Sequence, residues 1–283
     1  VSDPVIYTAV LPVDEDTVQF VSALLAADRR RRRTRPKRRA LGCYRQAVLV
    51  LRWLLDGTRL AQLAADNAIG RSTAYRYLHE GIDVLAERAP GLRGALLAAR
   101  AAGYAHVTVD GTLIRTDRCH VPGPTARTDR SGRQVDLWWS GKHAAHGGNV
   151  QVIAAPDGWP IWTSPVRPGR EHDTTALRTH PEALPLLAEW TDAEHAALAD
   201  LGYEGEREAL TTPIKHSAER RLTADERCVN LLHAAVRAPA ERGNSLLKTS
   251  FKALRRVSLC PWRIGAITAA ALVLLHHMHD RTT

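Results

Sequence analysis

The chain has 283 residues, 45% of them hydrophobic and 24% charged, which suits one large or two modest domains and excludes wholesale disorder. Lys and Arg outnumber Asp and Glu by 39 to 30, giving a net charge of +9 and a pI of about 9.8, a balance that favours a polyanionic partner. No apolar run reaches the roughly 18 residues of a membrane helix, and the N-terminal residues lack the charged-then-apolar order of a secretory signal. The four cysteines, Cys43, Cys119, Cys228 and Cys260, form no CxxC pair, so a zinc knuckle is disfavoured and a reducing cytoplasm is the expected setting.

The first hundred residues read as helical. Asp14-Glu15-Asp16-Thr17 opens a helix through Val18, Val21, Leu24 and Leu25 that ends in a basic run, 29–39, with nine Lys or Arg. Such a run is either a solvated linker or a set of phosphate contacts that adds affinity without sequence choice. The spacing of Ala47, Val48, Leu51, Leu54 and Leu55 predicts a helix over 44–55. Asp56-Gly57-Thr58 breaks it, and Thr58 is expected to cap a short helix holding Leu60, Leu63 and Ala64. The turn Asn67-Ala68-Ile69-Gly70 then leads to a longer helix, capped by Ser72, that buries Ala74, Tyr77, Leu78, Ile82 and Leu85. Two helices joined by a small turn form a helix-turn-helix pattern, although an ordinary helical hairpin has the same spacing. In the DNA-reading alternative, Arg71, Thr73, Tyr75 and Arg76 meet base edges. A last small helix, 92–101, is expected as a hinge between a helical DNA-binding region, 1–100, and a second domain, 101–283.

Beyond Gly103 the texture changes. Strands are predicted over 106–114, 135–140, 149–155 and 159–164, the last two joined by the turn Pro156-Asp157-Gly158. Helical text follows from Asp173 to Trp190, then a short strand ending at Asp200. Everything after Leu222 reads as helix, including an apolar stretch from Ile264 to Met278 whose histidines His276, His277 and His279 are expected at a solvated end. Strands first, then a strand flanked by helices, predict a mixed sheet covered by helices.

Three acids sit where a carboxylate can be delivered to one point. Asp110 ends the apolar run 106–109, Asp200 ends Ala196-Ala197-Leu198-Ala199, and Glu241 opens a basic amphipathic stretch. Two strand-end aspartates and a helix-borne glutamate suit divalent metal beside a phosphodiester. Each has a plain alternative: Asp before Gly is common in turns, and Glu241 near Pro239 opposes a helix dipole. Arg237, Arg242, Lys248, Lys252, Arg255 and Arg256 around Glu241 give that helix a face suited to phosphates. His143 and His146 have metal-like spacing but lack a local Cys or acidic partner. His172-Asp173 either lines the site or caps the following helix. Trp138, Trp139, Trp159 and Trp162 are expected in the core, the alternative being that one of them stacks on an extruded base.

The ordered segments Val109-Asp110-Gly111-Thr112, Ser140-Gly141-Lys142 with His146-Gly147, Pro168-Gly169-Arg170-Glu171-His172-Asp173, Ala199-Asp200-Leu201-Gly202-Tyr203-Glu204-Gly205, and Arg237 with Glu241 and Lys248 resemble the DDE-superfamily transposases of bacterial insertion sequences. The resemblance covers nearly the whole chain. It implies an RNase H-like α/β catalytic domain, a mixed sheet flanked by helices, behind an all-α helix-turn-helix domain. Asp110 is expected on the first strand, Asp200 after the fourth and Glu241 on a later helix. The resemblance further implies Mg²⁺ or Mn²⁺ at these acids, nicking at transposon ends and strand transfer by the freed 3′-hydroxyl. Arg237 and Lys248 are expected on DNA phosphates, with terminal inverted repeats and target DNA as partners and a homo-oligomer on DNA. Family members commonly carry Lys or a similar polar residue after the second Asp, where this chain has Leu201. The rival readings are an inactive helix-turn-helix DNA-binding relic and a nuclease of the same fold that cuts without joining.

Overall fold

The computed structural model describes residues 10–35, 38–123, 132, 134–217 and 220–283, so Pro36 and Lys37 of the basic run lie outside the described residues. The chain divides into two compact units between Val84 and Leu85.

The first unit holds α1 (Glu15–Arg31), α2 (Cys43–Asp56), α3 (Leu60–Asp66) and most of α4 (Arg71–Ala86). Helix α2 buries Ala47, Val50, Leu51, Leu54 and Leu55 and stops at Gly57, whose φ of 67° lets its N–H turn back to Trp53 O at 3.1 Å. Two expected caps fall elsewhere. Arg59, not Thr58, precedes α3, and Ser72 lies inside α4 because the Gly70 carbonyl already accepts the Ala74 N–H at 3.0 Å. On α4, Ala74, Tyr77, Leu78, Ile82 and Leu85 are buried as the periodicity predicts. A buried amide ties the unit together: Gln46 Nε2 donates to Tyr77 O at 3.0 Å and to Glu80 Oε2 at 2.9 Å. Arg39 pairs with Glu80, and Arg29 donates to Leu41 O at 3.1 Å, so two arginines of the basic run hold their own fold.

The second unit begins with α5 (Leu92–Ala101), the helix expected as a hinge. It packs on α7 (Ala183–Trp190), with Arg100 donating to Trp190 O at 2.8 Å. Among the described residues six strands follow: β1 (His106–Arg115), β2 (Trp139–Ser140), β3 (Ala145–Ala154), β4 (Pro160–Thr163), β5 (Arg167–Pro168) and β6 (Ala196–Leu198). The sheet runs β2-β3-β1-β6, with β4 and β5 also on β3. Strands β1 and β3 are antiparallel from Thr108↔Ala154 to Arg115↔Gly147, whereas β6 is parallel to β1 from His106↔Ala196, which makes the sheet mixed.

Two predicted elements are cut short. The strand expected over 135–140 is reduced to Trp139–Ser140, because Asp136 Oδ1 takes the Trp138 N–H at 2.9 Å and Asp136 O takes that of Trp139, a local turn in place of a ladder. The helical text over 173–190 splits into α6 (Asp173–Arg178) and α7 around Pro181, which cannot donate to a continuing helix.

After 222 come α8 (Ala224–Arg237), α9 (Ala240–Ser250) and α10 (Ile264–Met278), with short 3₁₀ turns between α9 and α10. Helix α8 is held by its polar side: Asn230 exchanges hydrogen bonds with Ile214 at 2.7 and 2.9 Å, and His233 reaches Thr211 O at 3.0 Å. Its apolar residues Val229, Leu231, Leu232 and Val236 consequently face outward. Helix α10 is buried along most of its length, and the expected solvated end does not extend to His276. That side chain is buried, meets Pro160 O at 2.8 Å and stacks on Trp159, because the last turn of α10 lies against the start of β4. Among the described residues no helix is long and apolar enough to cross a membrane.

The turn at 156–158 sets where α9 sits. Gly158 has φ of 86°, and a Cβ there would strike Pro239 O, just ahead of α9, while a Cβ on Gly243 would lie 2.5 Å from Gly158 O. Backbone meets backbone at this point, so only glycine fits. Gly158→Ala should destabilise the protein by about 2–4 kcal/mol through left-handed strain plus overpacking. Urea unfolding with an unchanged midpoint would refute this account of the contact.

Candidate active site

Strand β1 carries Asp110 at its middle, opposite Val152 of β3. Val107 and Val109 are fully buried on either side of Thr108, and the chain from Asp110 onward opens toward α9. Strand β6 runs beside β1, and Asp200 follows it by two residues at the start of a 3₁₀ turn, Leu201–Glu206, where its Oδ1 accepts the Gly202 N–H at 2.8 Å. Asp110 lies on the first strand as expected, whereas Asp200 follows the sixth strand and not the fourth, because the two-residue strands β2 and β5 also pair with β3. Leu201 is 45% exposed.

A third carboxylate joins them. Asp173, the first residue of α6, accepts Asn149 Nδ2 at 2.8 Å and pairs with Lys142 Nζ at 3.2 Å. His172 at the helix N-cap makes no side-chain cap bond, and Asp173 faces the site. Gly111 makes room: a Cβ at that position would overlap the Asp173 carboxylate. Behind the acids runs a polar chain in which Tyr203 donates to Gln151 Oε1, and Gln151 Nε2 donates to Asn149 Oδ1 at 2.8 Å. Helix α6 also grips the turn after Asp200, through Thr174 to Gly202 O and through Arg178 Nε to Glu206 Oε1 at 2.6 Å.

The three acids act on one another electrostatically. Burial pushes the Asp110 carboxyl up to about 6; Asp200 and Asp173 push the same way, while Arg237 and Lys142 oppose. Tyr203 is raised well above its ordinary value by burial and by the charges of Asp173, Asp110 and Asp200. The Lys142 ammonium is lowered by its own burial, but the same three carboxylates outweigh this and raise it overall.

Helix α9 closes the site from the far side. Asn244 Nδ2 donates to Asp110 Oδ2 at 2.7 Å, and Lys248 Nζ donates to Thr112 Oγ1 at 2.6 Å. Burial lowers the Lys248 ammonium, and Asp110 partly restores it. Glu241 is three residues before Asn244 and seven before Lys248, so all three share one helix face, but Glu241 itself is exposed. Among the described residues no group of three or more His, Cys, Asp or Glu side chains converges closely enough to hold a metal ion. The donor chemistry nonetheless suits a hard divalent cation: carboxylates whose charges oppose one another, one of them desolvated, beside an Asn244 Oδ1 that is buried without a hydrogen-bond partner.

A cleft of about 620 Å³ adjoins the acids, walled by Trp139, Lys142, His143, Arg170, His172 and Asp173 among others. Trp138, Trp159 and Trp162 are buried, whereas Trp139 stacks edge-on against His146 at 4.9 Å. On α4, Arg71, Tyr75 and Arg76 are exposed and Thr73 half-buried, opposite the buried face of that helix. Sequence reasoning left the role of Asp173 open and missed Asn149, Gln151 and Asn244. Asp173 stood in a segment already singled out, whereas the amides gave no periodic signal.

A helix-flanked mixed sheet with one aspartate on β1 and another just after its parallel neighbour β6 fits the RNase H-like class of nuclease domain. The family model for DDE superfamily endonucleases matches residues 109–276, more than half of the chain, and the chain belongs to that family. The family implies a DNA substrate and a divalent metal, typically Mg²⁺. No curated protein and no solved structure matches the chain.

The Asp110 shift has a sign. Its folded pKa lies above the ordinary 3.8, so its contribution to stability is fully present below about pH 4 and lost as pH rises through about 6. Metal-free Asp110→Asn should therefore be more stable than wild type at pH 7–8, by up to about 3 kcal/mol. The difference should close near pH 4. Equal unfolding free energies at pH 8 would show that Asp110 is not desolvated.

Proposed function

We propose that the chain is a transposase that binds transposon-end DNA, cuts it and joins the freed 3′-hydroxyl to a target. The observation that carries this reading is the mutual coupling of Asp110, Asp173 and Asp200 on and beside adjacent strands, in a chain of the DDE endonuclease family. Asp110 and Asp200 would hold Mg²⁺ or Mn²⁺, with Glu241 reaching in from α9. Bound there, a divalent ion supplies Lewis acidity that activates the attacking oxygen and stabilises the leaving one.

The chain's own residues do the rest. Asp173 holds Lys142 at the cleft, where an ammonium meets a phosphate oxygen as readily as a carboxylate. Arg237 and Lys248 bring positive charge to the Asp110 side and are assigned to DNA phosphates. The exposed face of α4, with Arg71, Thr73, Tyr75 and Arg76, is assigned to base edges, and the basic run 29–39 to phosphates. Two transposon ends call for two copies of the site, so a homo-oligomer on DNA is part of the reading.

With Mg²⁺ and a labelled terminal-repeat duplex, wild type should give nicks bearing 3′-hydroxyls and joined products in a target plasmid. Asp110→Asn, Asp200→Asn and Glu241→Gln should each lose about 100-fold or more of that cleavage. Wild-type cleavage by all three variants sinks the site; binding without cleavage points to an inactive DNA-binding protein, and cleavage without joining to a nuclease. Arg76→Ala should weaken binding to the terminal repeat by about 1–3 kcal/mol and leave nonspecific binding nearly intact. A gel-shift series that finds equal losses on both DNAs would remove α4 from sequence reading.

A further inference from the structure

We propose that Asn244 is a ligand of the cation site as well as a support for it, its Nδ2 fixing the Asp110 carboxylate and its Oδ1 serving as a neutral oxygen donor. This rests on the metal site assigned to Asp110 above. The amide already touches the carboxylate, with Nδ2 2.7 Å from Asp110 Oδ2. Its other end is buried and has no hydrogen-bond partner. Buried acceptors are nearly always satisfied, and an orphan at a functional site calls for an explanation such as a missing ion. The amide is also held by its neighbours along the helix. Gly243 packs on Gly158, and Lys248 is bonded to Thr112 one turn further on, so Asn244 has little freedom to turn its oxygen elsewhere.

Charge explains why an amide stands here. Asp110 already feels Asp173 and Asp200, and each added carboxylate makes the next harder to ionise. A neutral oxygen adds a ligand to a hard cation without adding to that repulsion. The alternative is that Asn244 only orients Asp110 through its N–H, and the two roles separate by substitution. Asn244→Ala removes donor and oxygen; Asn244→Asp keeps an oxygen in the same place and removes the donor.

Calorimetric titration of MnCl₂ into the full chain, without DNA, tests the proposal, with circular dichroism confirming the fold of each variant. Asn244→Ala should bind Mn²⁺ about 10- to 100-fold more weakly than wild type, Asn244→Asp should stay within a few-fold, and Asp110→Asn should lose binding. If Asn244→Ala matches wild type, or Asn244→Asp falls as far as Asn244→Ala, Asn244 is not a ligand. Should Asn244→Ala fail to fold, the Asn244→Asp titration alone decides. If Asp110→Asn binds as wild type does, or wild type binds no Mn²⁺, the metal-site reading itself fails and the inference falls with it.

Discussion

A carboxyl held away from water beside two others is the constraint around which the second unit is organised. Asp110 sits in the longest pairing of the sheet, where β1 and β3 bond along eight residue pairs and neither strand can shift to relieve it. Left alone, a buried carboxylate near two like charges is driven toward its neutral form, and this is the direction Asp110 takes. Positive charge is brought up from two directions, Arg237 from the end of α8 and Lys142 from the turn before β3. Neither arginine nor lysine neutralises the group fully, since its pKa remains near 6. A cluster left short of positive charge in this way is one a divalent cation completes.

The polar chain behind the acids converts that electrostatic problem into a rigid frame. Tyr203, Gln151, Asn149 and Asp173 come from the turn after Asp200, from β3 and from α6, and each bonds to the next. Gln151 and Tyr203 are fully buried, so every donor and acceptor used there has a definite partner and orientation. The chain couples the loop that carries Asp200 to the helix that carries Asp173. Thr174 and Arg178 repeat the coupling on the outer side of α6. Asp173 and Asp200 are thereby held in register, although 26 residues and two helices separate them in sequence.

Much of this was legible before any coordinates. Periodicity located α2, α4 and α10, and alternation located β1, β3 and β4, because burial on one face leaves a regular trace. The contexts of Asp110 and Asp200 were recognisable because strand ends and tight turns have short, local signatures. What escaped depended on tertiary neighbours. Asn149 and Gln151 are alternate residues of one strand and look like any polar pair until Tyr203 and Asp173 arrive. Asn244 reads as a surface amide on an amphipathic helix until β1 lies under it. The apolar run over 135–140 looked like a strand, but Asp136 diverted two N–H groups locally. His276 looked like a polar helix end, and only the approach of Pro160 and Trp159 made it a core residue.

The position of Glu241 follows from how α9 is pinned. Gly243 lies on Gly158, Asn244 on Asp110 and Lys248 on Thr112, so the helix is fixed at three points along one side. The helix cannot slide toward the aspartates without breaking a backbone contact that only glycine permits. Glu241 begins about 4.5 Å back along the axis from Asn244, on the same face. Any approach of Glu241 to Asp110 must therefore come from side-chain rotation. Glu241 is exposed and is not among the charged groups that act on Asp110.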